Sequence, residues 1–97
     1  MIAVVILNWN GAKMLRRFLP SVVEHSHPLG EVIVADNGST DNSLEILQQE
    51  FPEVRTLVLD HNYGFAEGYN EAFRRLEEIA PQRYEYYLLL NSDVRVT

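Results

Sequence analysis

The chain has 97 residues, 46% of them apolar and 23% charged, with a formal net charge of −6 and no cysteine. That length supports one domain around one core. The negative balance excludes a nucleic-acid binder, which needs a cationic face for phosphates, and the lack of cysteine excludes a disulfide scaffold or a thiolate metal site. The longest apolar run, Ile2 to Leu7, is too short to span a bilayer and has no cationic lead-in of the kind a secretion signal carries. These features predict a soluble cytoplasmic domain.

Ile2-Ala3-Val4-Val5-Ile6-Leu7 is apolar throughout and rich in β-branched residues, so it reads as a strand covered on both faces. Leu15, Phe18, Leu19, Val22 and Val23 follow at helical spacing, and Pro20 is expected to kink or divide that helix. Glu31 to Asp36 reads as a second strand. Leu44, Leu47 and Phe51 mark a second helix, Val54 to Asp60 a third strand, and Phe65, Tyr69, Ala72, Phe73, Leu76 and Ile79 a third helix. Tyr84 to Asn91 is the fourth strand. Alternating strands and helices predict an α/β fold with a parallel sheet and right-handed crossovers.

Ligands in such sheets sit beyond the carboxyl ends of the strands. Four stretches lie there: Asn8 to Gly11, Asp36 to Asp41, Asp60 to Gly64, and Asn91 to Asp93. The first has a single glycine, so it lacks the glycine-rich turn of an NAD or FAD site. Asn10 is a natural cap for the first helix, and Ser39 or Thr40 for the second. Asn62 plays the same part for the third, with Gly64 as a hinge. Asp36 has no such local duty. A carboxylate ending a buried strand must be solvated, paired or liganded, and it suits the N–H of a base or a ribose hydroxyl. Gly68, inside a helical stretch, marks either close packing or close approach of a ligand. Asn91-Ser92-Asp93 places one carboxylate where Mg²⁺ or Mn²⁺ and a diphosphate would meet. Such ions often take only one or two protein carboxylates, with phosphate and water oxygens completing the shell. A phosphoacceptor receiver domain is disfavoured, because Asn8-Trp9-Asn10 supplies no acid after the first strand.

In order and spacing, four segments resemble the amino-terminal half of a family-2 glycosyltransferase with the Rossmann-like GT-A fold. They are Val5-Ile6-Leu7-Asn8-Trp9-Asn10-Gly11, Val32-Ile33-Val34-Ala35-Asp36-Asn37-Gly38-Ser39-Thr40-Asp41, Asn62-Tyr63-Gly64-Phe65-Ala66-Glu67-Gly68-Tyr69-Asn70, and Leu89-Leu90-Asn91-Ser92-Asp93. The resemblance implies a four-stranded, mainly parallel sheet of order 3-2-1-4 with helices on both faces. It implies transfer of a sugar from a nucleotide diphosphate donor to an acceptor hydroxyl, with inversion. Nucleotide binding would fall to Asn8, Trp9, Asn10, Asp36, Gly64, Asn91 and Ser92, and metal binding to Asp93 at the Asp-x-Asp position.

Asn91 stands in place of the first aspartate of that pattern, as in members that resemble rhamnosyltransferases using thymidine or uridine diphosphate donors. The family's general base and acceptor region would follow this segment. The resemblance therefore implies a truncated catalytic domain that binds donor weakly and does not turn over. The alternative is a non-catalytic nucleotide-binding or scaffolding module of the same fold. An uncovered fourth strand would favour self-association through its edge. Any membrane association would come only from the missing part, which would also read the sugar or lipid-linked acceptor.

Overall fold

The structure is a computed structural model and describes residues 2–26 and 30–91. Its elements run β1 (Ile2–Asn8), α1 (Ala12–Ser26), β2 (Gly30–Asp36), α2 (Ser43–Glu50), β3 (Arg55–Val58), α3 (Phe65–Ile79) and β4 (Tyr86–Asn91). The strands form one sheet in the order β3-β2-β1-β4, and each of the three pairings is parallel.

Because β1 and β2 are interior strands, both faces need cover, and their side chains divide accordingly. Ala3, Val5, Leu7, Ile33 and Ala35 pack under Tyr69, Ala72 and Leu76 of α3. Val4, Ile6, Val32 and Val34 pack against Leu15 and Leu19 of α1 and Ile46 and Leu47 of α2. The helices thus lie on both faces, as the patterning predicts. α1 runs unbroken through Pro20. Pro20 is exposed, so the carbonyl left without its helical donor lies on the solvent side, where water can serve it.

The two ends of the third stripe also depart from expectation. Phe65 is 60% and Ile79 55% exposed, because α3 lies over β1 and β2 and its terminal turns overhang them. β3 and β4 are shorter than the apolar runs suggest. Val54 and Leu59 are buried without belonging to the strand, and so is Tyr84 before β4.

The two sheet edges differ. β3 is four residues long, its Arg55 pairs with Glu31 at 2.8 Å, and Arg75 of α3 donates to the Val58 carbonyl at 2.9 Å. Short length and charge discourage addition of a strand there. β4 runs Tyr-Tyr-Leu-Leu-Leu-Asn with no charge, and Tyr86, Leu88 and Leu89 are 68%, 50% and 47% exposed. Register with Val4 puts Leu88 on the α1 side, and register with Val5 puts Leu89 on the α3 side, so neither face of β4 is fully covered.

Candidate nucleotide-sugar site

Parallel pairing in register brings Asn8 beside Asp36, at the carboxyl ends of the two central strands. Both side chains are buried, Asn8 fully and Asp36 to within 1%. The Asp36 carboxylate is satisfied from within the chain. Its Oδ1 accepts from Asn8 Nδ2 at 3.1 Å and from the Ser39 hydroxyl at 2.6 Å, and its Oδ2 accepts from the Ser39 amide at 3.0 Å. Of the three fates open to a buried strand-end carboxylate, hydrogen bonding is the one observed. An ionised carboxylate has about four acceptor positions, so Oδ2 retains capacity for another donor.

Ser39 is therefore not a helix cap. Its hydroxyl accepts from the Asn10 amide at 2.9 Å while donating to Asp36, which fastens the β1–α1 turn to the β2–α2 turn. Asn10 does not cap α1 either. It sits in the left-handed region at φ 49, tolerable for asparagine, and its Oδ1 accepts from the Thr40 amide at 2.7 Å and the Asp41 amide at 3.1 Å.

The N-cap position of α2 is Asn42, without a side-chain cap, and the side chain that reaches both helix starts is that of Asp41. Its Oδ2 accepts from the Ala12 amide at 3.2 Å, at the start of α1. Its Oδ1 accepts from the Ser43 amide at 2.9 Å, at the start of α2. One carboxylate thus answers free N–H groups at two helix starts. Burial by itself would raise the Asp41 pKa, but hydrogen bonds from the Ser43 hydroxyl first, then from the Ser43 and Ala12 amides, outweigh it and hold the carboxyl below its usual range.

A second set of ties reaches the β3–α3 loop. Asn37 Oδ1 accepts from the Tyr63 amide at 2.9 Å, and Asn37 Nδ2 donates to Asn62 Oδ1 at 3.1 Å and to the Gly64 carbonyl at 3.0 Å. Asn62 Oδ1 also accepts from the Gly64 amide at 2.7 Å. The N-cap of α3 is Gly64, at φ 81, with Asn62 two residues further back. Gly68 is explained by packing. A Cβ there would lie 2.9 Å from Leu7 Cδ2 and 3.0 Å from Asn37 Nδ2. Beyond it, the Tyr63 hydroxyl donates to Asp60 Oδ1, Arg75 reaches the same oxygen at 2.8 Å, and His61 Nδ1 lies 3.1 Å from Oδ2. The Tyr63 bond is the chief reason the Asp60 pKa falls to about 2.

Trp9, between Asn8 and Asn10 in the β1–α1 turn, is 54% exposed. Asn10, Gly11, Lys13 and Asp41 help line a cavity of about 330 Å³ between the β1–α1 and β2–α2 turns. That volume falls at the small end of ligand-sized clefts. Asn8 Oδ1 is a buried acceptor with no partner among the described residues. β4 ends at Asn91, whose neighbour in register is Leu7. Ser92 and Asp93 lie outside the described residues. Among the described residues, no group of three or more His, Cys, Asp or Glu is arranged to hold a metal ion, and no helix is long and apolar enough to cross a membrane.

The family model described as Glycosyl transferase family 2 matches residues 3–96. The chain belongs to that family. It is 31% identical over 97 residues to the N-acetylglucosaminyl-diphospho-decaprenol L-rhamnosyltransferase of Mycobacterium tuberculosis, covering 95% of this chain and 32% of that one. S. aureus TarS, solved in complex with UDP-GlcNAc, superposes with a TM-score of 0.72 at 25% identity, covering 95% of this chain and 26% of that one. A mannosyltransferase from Pyrobaculum calidifontis, solved with GDP-Man and Mn²⁺, shares the fold at a TM-score of 0.62 and 23% identity, over 76% of this chain and 24% of that one. The chain therefore spans about a third of the mycobacterial relative. The architecture is that of a GT-A glycosyltransferase.

Proposed function

We propose that the chain holds the nucleotide of a uridine or thymidine diphosphate sugar across the carboxyl ends of β1, β2 and β4, as the donor-binding part of an inverting transferase. The observation that carries this is the closed set of hydrogen bonds among Asn8, Asp36, Ser39 and Asn10 at adjacent strand ends, in a chain of this family. Trp9 offers an exposed indole face for the base. Asp36 Oδ2 and the unpartnered Asn8 Oδ1 supply acceptors for base N–H or ribose hydroxyl groups. Asn10 and Gly64 stand on the adjoining loops, and we assign Asn91 and Ser92 to the same nucleotide.

Asp93, following the end of β4, would hold Mg²⁺ or Mn²⁺ together with the diphosphate oxygens. A single hard carboxylate next to a phosphate site suits either ion. When bound, the cation supplies charge that screens the diphosphate and stabilises the departing nucleotide. An inverting transfer also needs a base to deprotonate the acceptor hydroxyl. None of the residues assigned above is free for that role, so we expect the 97 residues to bind donor without transferring it. The likeness to a rhamnosyltransferase named for a decaprenol-linked substrate supports a sugar or lipid-linked acceptor and a place in cell-surface polysaccharide synthesis. The cysteine-free composition suits a cytoplasmic location.

Trp9 is the chain's single tryptophan, which makes its fluorescence a direct reporter. Titration with uridine, thymidine and guanosine diphosphates, with and without Mn²⁺, should change that emission. The metal dependence should disappear in Asp93→Ala. If no nucleotide alters the emission and calorimetry finds no binding, the donor-site reading fails. Sugar transfer by the purified chain that is abolished by Asp93→Ala would refute the separation of binding from turnover.

A further inference from the structure

Asn37 is 2% exposed, and each polar atom of its side chain is engaged by one loop. The acceptor takes the Tyr63 amide, and the two donor positions serve Asn62 Oδ1 and the Gly64 carbonyl. On its other side, the Asn37 backbone amide donates to the Asn8 carbonyl at 2.7 Å. One residue therefore ties the end of β1 to the entrance of α3. Its neighbours are shaped around it. Gly38 packs against the backbone of His61 and Asn62, where a Cβ would come within 2.7 Å, and Gly68 leaves the space that the carboxamide fills.

With two donors and one acceptor all committed to the loop, this side chain keeps little to offer a ligand. We infer that Asn37 is a positioning residue of the donor site. Its carboxamide sets where Gly64 and the first turn of α3 stand relative to Trp9 and Asp36. The inference rests on the donor-site reading, but the placement of the loop can be measured without it.

The arrangement requires an amide and not an acid. In Asn37→Asp an ionised carboxylate would face two acceptors, Asn62 Oδ1 and the Gly64 carbonyl, which disfavours the charged form and raises its pKa. The titratable groups on the elements packed around it are Asp36 on β2, Asp60, His61 and Tyr63 in the loop, and Glu67, Tyr69 and Glu71 on α3. Asp36 is bonded to Asn8 and Ser39, Asp60 to Tyr63 and Arg75, and Glu71 to Arg74 and Arg75. No cation among the described residues is bonded to Asn37, so none stands ready to neutralise a charge introduced there.

The test follows the Tyr63 and Gly64 amide resonances and uridine diphosphate affinity in wild type and Asn37→Asp between about pH 5 and about pH 8. The variant's resonances should lie nearer wild type at the acid end, where the neutral carboxyl still donates to one of the two acceptors, and depart further from it at the alkaline end. Its affinity, taken relative to wild type at each pH, should fall about tenfold over that range, the size of one lost hydrogen bond. Gly68→Ala, which presses on the carboxamide without adding charge, should displace the same resonances with no pH dependence. A pH-independent affinity ratio in Asn37→Asp overturns the inference. If Asn37→Asp does not fold, unmoved resonances in Gly68→Ala overturn it. If wild type binds no nucleotide, the donor-site reading falls, and the resonances alone then decide whether Asn37 places the loop.

Discussion

Asp36→Ala removes a buried carboxylate that three donors converge on. The Ser39 hydroxyl can turn to another acceptor, but Asn8 Nδ2, which is fully buried, and the Ser39 amide, which is half-buried, both lose the carboxylate. Each buried donor stranded in this way costs about 1–3 kcal/mol. Relief from no longer desolvating a charge offsets part of that. A net loss of about 3 kcal/mol is expected, from a total that for a domain of this size is about 5–15 kcal/mol.

At about 4–8 °C per kcal/mol, the melting temperature should fall by about 12–24 °C. Asp36→Asn keeps one acceptor oxygen and turns an amide toward a donor, so about half of that loss is expected. Thermal and urea unfolding followed by circular dichroism measure both. A melting temperature for Asp36→Ala within about 2 °C of wild type would refute the structural role of the carboxylate. The same pair of variants also separates structure from contact. If Asp36 touches the base, Asp36→Asn should lose nucleotide binding while still folded. Ser39→Ala, which removes the support but keeps the carboxylate, should retain most of it.

Gly38→Ala should lose at least about 2 kcal/mol, since φ is +77 and the added Cβ would meet the Asn62 amide nitrogen at 2.7 Å; an unchanged urea midpoint would count against the close loop packing. The acid limb of stability should carry the mark of Asp60. Its folded pKa is held at about 2, first by the Tyr63 hydroxyl and then by backbone and His61 bonds, whereas the unfolded value is about 3.9. The contribution is therefore complete above about pH 4 and is lost as pH falls toward about 2; in Tyr63→Phe an NMR titration should find the Asp60 pKa closer to its ordinary value. Wild type should self-associate with rising concentration through β4, and Leu88→Lys should keep it monomeric; light scattering that finds wild type monomeric at high concentration would remove this prediction.

The fold was legible because its signals are local. The unbroken apolar run Ile2 to Leu7 announces a strand buried on both sides, and parallel pairing with β2 and β4 is what the structure contains. The three-and-four spacing of Leu15, Leu19, Tyr69, Ala72 and Leu76 marks the residues that helices bury. Departures occur where tertiary position overrides pattern. Phe65 and Ile79 have the spacing of core residues but fall beyond the sheet that α3 covers. Pro20 has the chemistry of a breaker but stands on the solvent side, where the missing hydrogen bond exposes nothing that water cannot reach.

The site was legible in place and not in wiring. The strand-end rule put Asn8 and Asp36 at the carboxyl end of the sheet, where register sets them side by side, and Asn10 in the turn that follows β1. Helix-cap preferences then assigned Ser39, Thr40, Asn10 and Asn62 to their nearest helix, since propensity sees only neighbours in sequence. The bonds that join the turns span 25 to 31 residues, and they go where buried groups would otherwise lack partners. Asp36 outcompetes α2 for Ser39, because a fully buried carboxylate without donors costs more than a helix start that Asp41 can serve. That ordering of costs makes the segment Asp36 to Asp41 the junction of the molecule. Its side chains hold the β1–α1 turn on one side and the β3–α3 loop on the other, so geometry at the proposed donor site depends on residues that need not touch a donor.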